Sequence, residues 1–207
     1  GAPCHFVYHA IKQGANGTII SAVGSDELGE EIVSSLDDLG IHNHIQKNGY
    51  DTGVVDITLN DSGSANYVIK EHASWDYITF DSVSEDLSKV CDCVCFGSLA
   101  QRCETTRESI YSFLDTTKDS CLKIFDINIR LNYYNKDIIK KSLEYANILK
   151  LNEDELPLLE SMFNIKFEDI ITEFDLDLII YTQGSEGSLL YASEGNKSFY
   201  KPSKVEV

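Results

Sequence analysis

The apolar run Tyr145-Ala146-Asn147-Ile148-Leu149 stops at the polar cluster Lys150-Leu151-Asn152-Glu153-Asp154-Glu155-Leu156. A strand that ends in Lys and Asn and turns into an acid-rich helix puts donors and carboxylates at the carboxyl end of a sheet, where open α/β sheets hold ligands. Carboxylates are hard oxygen ligands for Mg²⁺, directly or through its waters, and Lys and Asn can hydrogen-bond phosphate oxygens. The chemistry this cluster could do is nucleotide handling. The plainer alternative is a helix whose first-turn acids complement the macrodipole and cap free amides.

Two other segments could carry chemistry. In Phe125-Asp126-Ile127-Asn128-Ile129-Arg130 a period of two places Asp126, Asn128 and Arg130 on one face and the apolar residues on the other. At a strand end the three could meet sugar hydroxyls, with Arg130 near transferred phosphate charge. The alternative is a half-exposed strand with an internal Asp–Arg pair. After the β-rich run Leu178-Ile179-Ile180-Tyr181 comes Thr182-Gln183-Gly184-Ser185-Glu186-Gly187-Ser188, whose glycines would let a phosphate approach main-chain amides. The loop matches neither the Walker A nor the dinucleotide pattern. There is no Gly-x-Ser-x-Gly elbow and no His-Glu-x-x-His helix, and the five histidines are scattered, with His42 and His44 expected in a surface loop. A hydrolase is the weaker enzyme class.

The elements that must position these residues alternate along the chain. A helix is predicted over 5–13, a strand over 18–23, and a helix over 25–39 that Gly40 ends at C′. Residues 52–59 and 66–69 read as strands joined by a turn at 60–63, a hairpin that is either a lid, a dimer interface or a sheet extension. Strands are predicted over 90–96, 122–129, 148–151 and 178–182, with helices over 104–117, 136–145 and 153–174, the last broken near Asn164. This pattern is that of a mostly parallel sheet covered by helices.

At 207 residues, 43% hydrophobic and 25% charged, the chain is long enough for one well-packed domain. No apolar run approaches the roughly 20 residues of a membrane span. The net charge of -17 disfavours nucleic acid and anionic lipid, which are bound by neutralising phosphates with Lys and Arg. Cys91, Cys93 and Cys95 alternate and would share one side of a strand; buried free thiols in a reducing cytoplasm are the expectation, ahead of a soft-metal site.

Taken in order, Gly1-Ala2-Pro3-Cys4-His5, Gly14, the run from Ser21 to Gly29, the run from Phe96 to Arg102, Asp126 to Arg130, Lys150 to Glu155 and Thr182-Gln183-Gly184 resemble the PfkB, or ribokinase-like, family of sugar kinases, and most closely its bacterial fructokinase branch. The resemblance runs end to end. It implies an α/β fold, a ribokinase-like three-layer αβα sandwich with a small β lid at about residues 45–72 in one partial kinase domain over 1–207. It implies ATP and Mg²⁺ as cofactors and a small-molecule sugar as substrate, in the cytoplasm, with a homodimer formed through the lid as one arrangement. Glu155 falls on the metal network, and Lys150, Asn152, Thr182, Gly184 and Gly187 fall on the nucleotide side. Gly1, His5, Trp75, Asn128 and Arg130 fall on the sugar side, with Arg130 also supporting catalysis. His5 stands where the family signature usually has Asn. The family's Gly-Ala-Gly-Asp segment, which carries the catalytic base, is expected beyond Val207, and the first strand before Gly1, so a fragment truncated at both ends and inactive by itself is the expectation.

Overall fold

The computed structural model describes residues 2–59 and 65–202. The expected turn at 60–63, Gly1 and the last five residues lie outside the described residues. The chain divides into two compact units: Gly1–Lys89 with Ala100–Thr116, and Val90–Leu99 with Thr117–Val207.

The first unit opens with helix α1 (Ala2–Lys12), which starts earlier than predicted because Pro3 is accommodated in a first helical turn, where its missing N–H is no loss. Strand β1 (Thr18–Val23) pairs in parallel with β2 (His42–Lys47), and α2 (Glu27–Asp38) connects them. Asp26 caps α2 by accepting from Gly29 N at 2.8 Å, and Gly40, at φ +67°, ends it. The surface loop expected at His42 and His44 is therefore a strand. His44 Nε2 lies 2.8 Å from Asp81 Oδ2, tying β2 to the start of α3 (Ser82–Val90). An antiparallel hairpin, β3 (Val55–Leu59) and β4 (Ala65–Ile69), pairs Val55 with Ile69 and Ile57 with Tyr67. A 3-10 turn, Ser74–Tyr77, follows it, and α4 (Glu104–Thr116) completes the unit.

The second unit holds a six-stranded sheet in the order β10-β9-β8-β7-β6-β5. Strands β5 (Cys93–Gly97), β6 (Leu122–Asp126), β7 (Ile148–Asn152) and β8 (Leu178–Thr182) run parallel, β9 (Ser188–Ala192) returns antiparallel to β8, and β10 (Lys197–Tyr200) pairs antiparallel with β9. Helices α5 (Lys136–Tyr145), α6 (Glu155–Phe163) and α7 (Phe167–Glu173) link the parallel strands. Their apolar stripes supply the core: Ile139 and Leu143 from α5, Leu159 from α6 and Ile170 from α7 are buried with Phe125, Leu149, Leu151 and Ile179 of the sheet. Asn164, at φ +55°, separates α6 from α7, as the predicted break requires.

Two expectations about strands are corrected here. Strand β6 ends at Asp126, not Ile129, because Asn128 takes a left-handed φ of +42° that an extended chain excludes. The alternation persists one residue further, to the buried Ile127, whose N donates to Lys150 O at 3.0 Å, and then stops. The strand predicted from residue 90 begins at Cys93, so Cys91 precedes β5; Cys121 is buried, Cys91 is half-buried with its Sγ 3.6 Å from that of Cys121, and Cys93 is exposed. No helix among the described residues is long and apolar enough to cross a membrane.

Candidate functional site

Because β6, β7 and β8 are parallel neighbours, their last residues emerge on one side of the sheet. Register sets them as a staircase: Asp126 opposes Lys150, Asn152 opposes Thr182, and Thr182 opposes Ser188 at the start of β9. A cavity of about 410 Å³ opens there. Asn152, Glu153 and Asp154 form one wall, Thr182, Gly184 and Gly187 another, and Ser188, Tyr200 and Pro202 the third. Four residues picked from the sequence for the nucleotide side, Asn152, Thr182, Gly184 and Gly187, thus line one space.

The β7–α6 turn is held by reciprocal bonds. Asn152 Oδ1 accepts from the amides of Asp154 and Glu155, each at 2.9 Å. Glu155 Oε2 accepts from Asn152 N at 2.9 Å, and its Oε1 accepts from Ile129 N at 3.0 Å. Asn152, the last residue of β7, and Glu155, the first of α6, thereby bond in the reciprocal manner of a capping box across the turn between them. The two amide donors fix which way the carboxamide lies, since an NH₂ group in the place of Oδ1 would face N–H groups. Asn152 Nδ2 is left as the donor end, suited to an anion and not to a cation. Glu155 is only 4% exposed, and burial pushes its carboxyl above the ordinary Glu range, against the pull of the Asn152 and Ile129 amides.

The loop after β8 is closed by Gln183 N donating to Gly187 O at 2.8 Å. Gly184 has φ +51° and Gly187 φ +125°, and a Cβ on Gly187 would collide with the Tyr200 carbonyl. Only glycine fits at Gly187, and its bare backbone faces the cavity. Lys150 does not line the cavity; its Nζ pairs with Asp126 Oδ1 at 2.8 Å. Arg130 is exposed and its Nη1 donates to Ile129 O at 2.8 Å, so the Asp–Arg pair weighed from the sequence is replaced by Asp126–Lys150. Asn128 sits on the same bend, which Ile129 fastens to Glu155.

In the first unit His5 is exposed on α1, and Trp75 is half-buried in the 3-10 turn with the Arg102 guanidinium 4.0 Å over its ring. A second cavity, of about 450 Å³, includes Asp26, Asp51 and Lys70 in its lining. Asp26 there is occupied with structure: Thr52 Oγ1 and Thr52 N donate to it at 2.6 and 2.8 Å, and these bonds lower its carboxyl below the ordinary Asp range.

The donor set at the first cavity fits Mg²⁺, which commonly takes one or two carboxylates together with phosphate and water oxygens. Glu153 and Asp154 line the space, and each Glu155 oxygen keeps a lone pair beyond its amide bond. Among the described residues no group of three or more His, Cys, Asp or Glu is placed to hold a metal by itself, so the remaining ligands would come from phosphate and water. Sequence reasoning passed over Ser188, Tyr200 and Pro202; the β-hairpin partner of Thr182 could have pointed to Ser188, whereas nothing in Lys197–Tyr200 marks Tyr200.

The sequence pattern of the pfkB family carbohydrate kinases matches residues 2–207. The chain belongs to this family. A Pyrococcus horikoshii protein named as a sugar kinase is 26% identical to this pfkB-family chain over 172 residues, 78% of the chain and 54% of the relative. The fructokinase of Salmonella typhimurium is 24% identical over 203 residues, 91% of the chain and 64% of the relative. The chain therefore spans between half and two thirds of these relatives' length. The crystal structure of the Xylella fastidiosa fructokinase with bound ATP shares the fold at a TM-score of 0.87 and 17% identity, covering 100% of this chain and 67% of that one. The architecture is thus the ribokinase-like α/β fold of pfkB kinases.

Proposed function

We propose that the protein acts as an ATP-dependent sugar kinase of the fructokinase type, transferring the γ-phosphate to a sugar hydroxyl. The observation that carries the reading is the cavity at the ends of β7 and β8, where the outward amide of Asn152 meets the bare backbone of Gly184 and Gly187. A polyphosphate suits such a mix of neutral donors and close main chain. Support for ATP comes from family membership and from the ATP-bound relative of the same fold.

In this reading Asn152 Nδ2 and the Gly184–Gly187 backbone seat the phosphates, and Thr182 borders them. Lys150, held by Asp126, adds positive charge at the strand ends. Mg²⁺, when bound, neutralises charge between the phosphates. Glu153 and Asp154 would hold it, with Glu155 reached through its waters. Asn128, His5 and Trp75 serve the sugar, and Gly1, outside the described residues, is assigned there too. Arg130 stabilises charge on the transferred group, so that most of the acceleration comes from alignment and charge neutralisation. The cytoplasm, which supplies ATP, is the proposed compartment.

The exposed apolar residues of the β3–β4 hairpin, Val55, Ile57 and Tyr67, favour pairing of two copies through this element. Fructose is the first acceptor to test, because a fructokinase is among the relatives that align over most of the chain. The experiment is ADP release with ATP and Mg²⁺ against fructose, 2-keto-3-deoxygluconate, other ketoses and nucleosides. Sugar-dependent ADP release supports the reading; sugar binding by calorimetry with no turnover in the intact protein sinks it in favour of a non-catalytic sugar binder.

A further inference from the structure

The hairpin β3–β4 has little apolar anchorage of its own. Val55, Ile57, Tyr67 and Val68 are all largely exposed, and an isolated two-stranded hairpin is marginal in water. What fixes it must act at its root. The last rung there is Lys70 N donating to Val54 O at 3.4 Å.

Arg102 sits at that root. Its side chain is 6% exposed, and that of its partner Asp76 is 3% exposed. Nε donates to Asp76 Oδ1 at 2.7 Å and Nη2 to Asp76 Oδ2 at 2.8 Å, the two-pronged grip of a guanidinium on a carboxylate. Nη2 also donates to the Lys70 carbonyl at 2.6 Å, holding the exit of β4. The same guanidinium covers the Trp75 ring, whose Nε1 edge packs so close to Gly53, just before β3, that a Cβ on Gly53 would overlap it. One cation therefore grips the β4 root and the 3-10 turn between the hairpin and α3, and reaches the β3 root through Trp75. That turn is fastened in its own right, since Ser74 Oγ donates to the carbonyls of Tyr50 and Asp51 at 2.7 and 2.8 Å.

A buried ion pair is weak evidence of stabilisation, because desolvation consumes most of the attraction and apolar residues of equal volume often serve as well. Its geometric demands are the informative part. Lysine could neutralise Asp76 but has no plane to stack on an indole and no fork to reach a carboxylate and a carbonyl together.

We propose that Arg102 is a positioning residue that fixes the root of the β3–β4 hairpin within the first unit and holds the Trp75 ring against Gly53 at that root. This deepens the kinase reading, on which its effect on sugar affinity rests. Its effect on the hairpin does not depend on that reading.

The chain has one tryptophan, so its fluorescence reports Trp75 alone. The test compares the wild type with Arg102→Lys and Arg102→Met, without ligand, by hydrogen exchange of the hairpin amides and by acrylamide quenching of Trp75. Exchange at Val55 to Ile57 and Tyr67 to Lys70 is expected to quicken roughly tenfold or more in Arg102→Lys, with stronger quenching, while the melting temperature stays close to wild type. With sugar and ATP, KM for the sugar should rise roughly tenfold while kcat moves less, since the anchor shapes binding and not the transfer. Should Arg102→Met fail to fold, Arg102→Lys decides. Unchanged hairpin exchange and unchanged quenching in folded Arg102→Lys overturn the proposal. If the wild type turns over no sugar, the kinase reading fails and the exchange and quenching results still decide the anchor.

Discussion

Asn152 and Glu155 each hold the other's backbone amide, at 2.9 Å in both directions, so the two residues fold the β7–α6 turn while Asn152, its Oδ1 taken up by that turn and its NH₂ group left to donate, also lines the cavity. Asn152→Asp separates these tasks. A carboxylate keeps both amide bonds, so stability should stay within about 1 kcal/mol of wild type, whereas Asn152→Ala loses the cap and about 1 kcal/mol. ATP affinity should fall roughly tenfold or more in Asn152→Asp, from a lost donor and an added charge facing phosphate. Thermal melts and ATP calorimetry measure both, and wild-type ATP affinity in Asn152→Asp would contradict the assignment of Nδ2 to phosphate.

Glu155→Gln puts an NH₂ group where one carboxylate oxygen accepted a buried amide. The Ile129 or Asn152 N–H is then stranded, at a cost of about 1–3 kcal/mol. Urea unfolding should show this as a lower midpoint with an unchanged slope.

The two glycines of the β8–β9 loop should differ. Gly187→Ala drives a methyl into the Tyr200 carbonyl at φ +125° and should cost about 1–3 kcal/mol or more, deforming the cavity and weakening ATP binding. Gly184→Ala meets nothing nearer than Glu153 Oε1 at 3.5 Å and carries only the strain of φ +51°, about 1 kcal/mol. Equal losses in the two variants would mean that the Tyr200 contact is not what restricts Gly187.

Asp81 accepts from Ser84 N at 2.9 Å and meets His44 at 2.8 Å; the Ser84 amide bond and the His44 contact lower its carboxyl to about 2. A folded value below the unfolded one of 3.8 means a contribution present above that pH and lost as pH falls toward 2. With the Asp81 side chain 37% exposed, solvent screening reduces it to about 1 kcal/mol. Asp81→Asn should therefore be less stable than wild type at pH 6, with the gap closing by pH 2 in paired melts.

Strands β1 and β8 and helix α5 have their predicted bounds in the structure, because each is a compact apolar or amphipathic run with clear edges. Helix α3 escaped notice because it is short and its fully buried positions are Ser84 and Ser88, so the residues it hides most completely are not apolar ones. Strand β2, His-Asn-His-Ile-Gln-Lys, likewise carries one aliphatic residue and is held by pairing with β1 and by His44 and Gln46 side-chain bonds around Asp81. The end of β6 turned on the φ of Asn128, which residue type permits but does not announce. At the site, residue chemistry pointed to the Asn152 turn and the two glycines and the family resemblance added Thr182, while the Asp126–Lys150 pair and Tyr200 depend on strand register that only the fold supplies.

The rung between Thr182 and Ser188 fixes the intervening segment at five residues, latched by Gln183 and Gly187. Insertions and deletions there would break the latch or push chain into the cavity. Under the nucleotide reading proposed above, a change in which nucleotide this chain accepts would have to come from exchanging side chains around a loop of fixed length, which makes residues 183–187 a poor place for grafting.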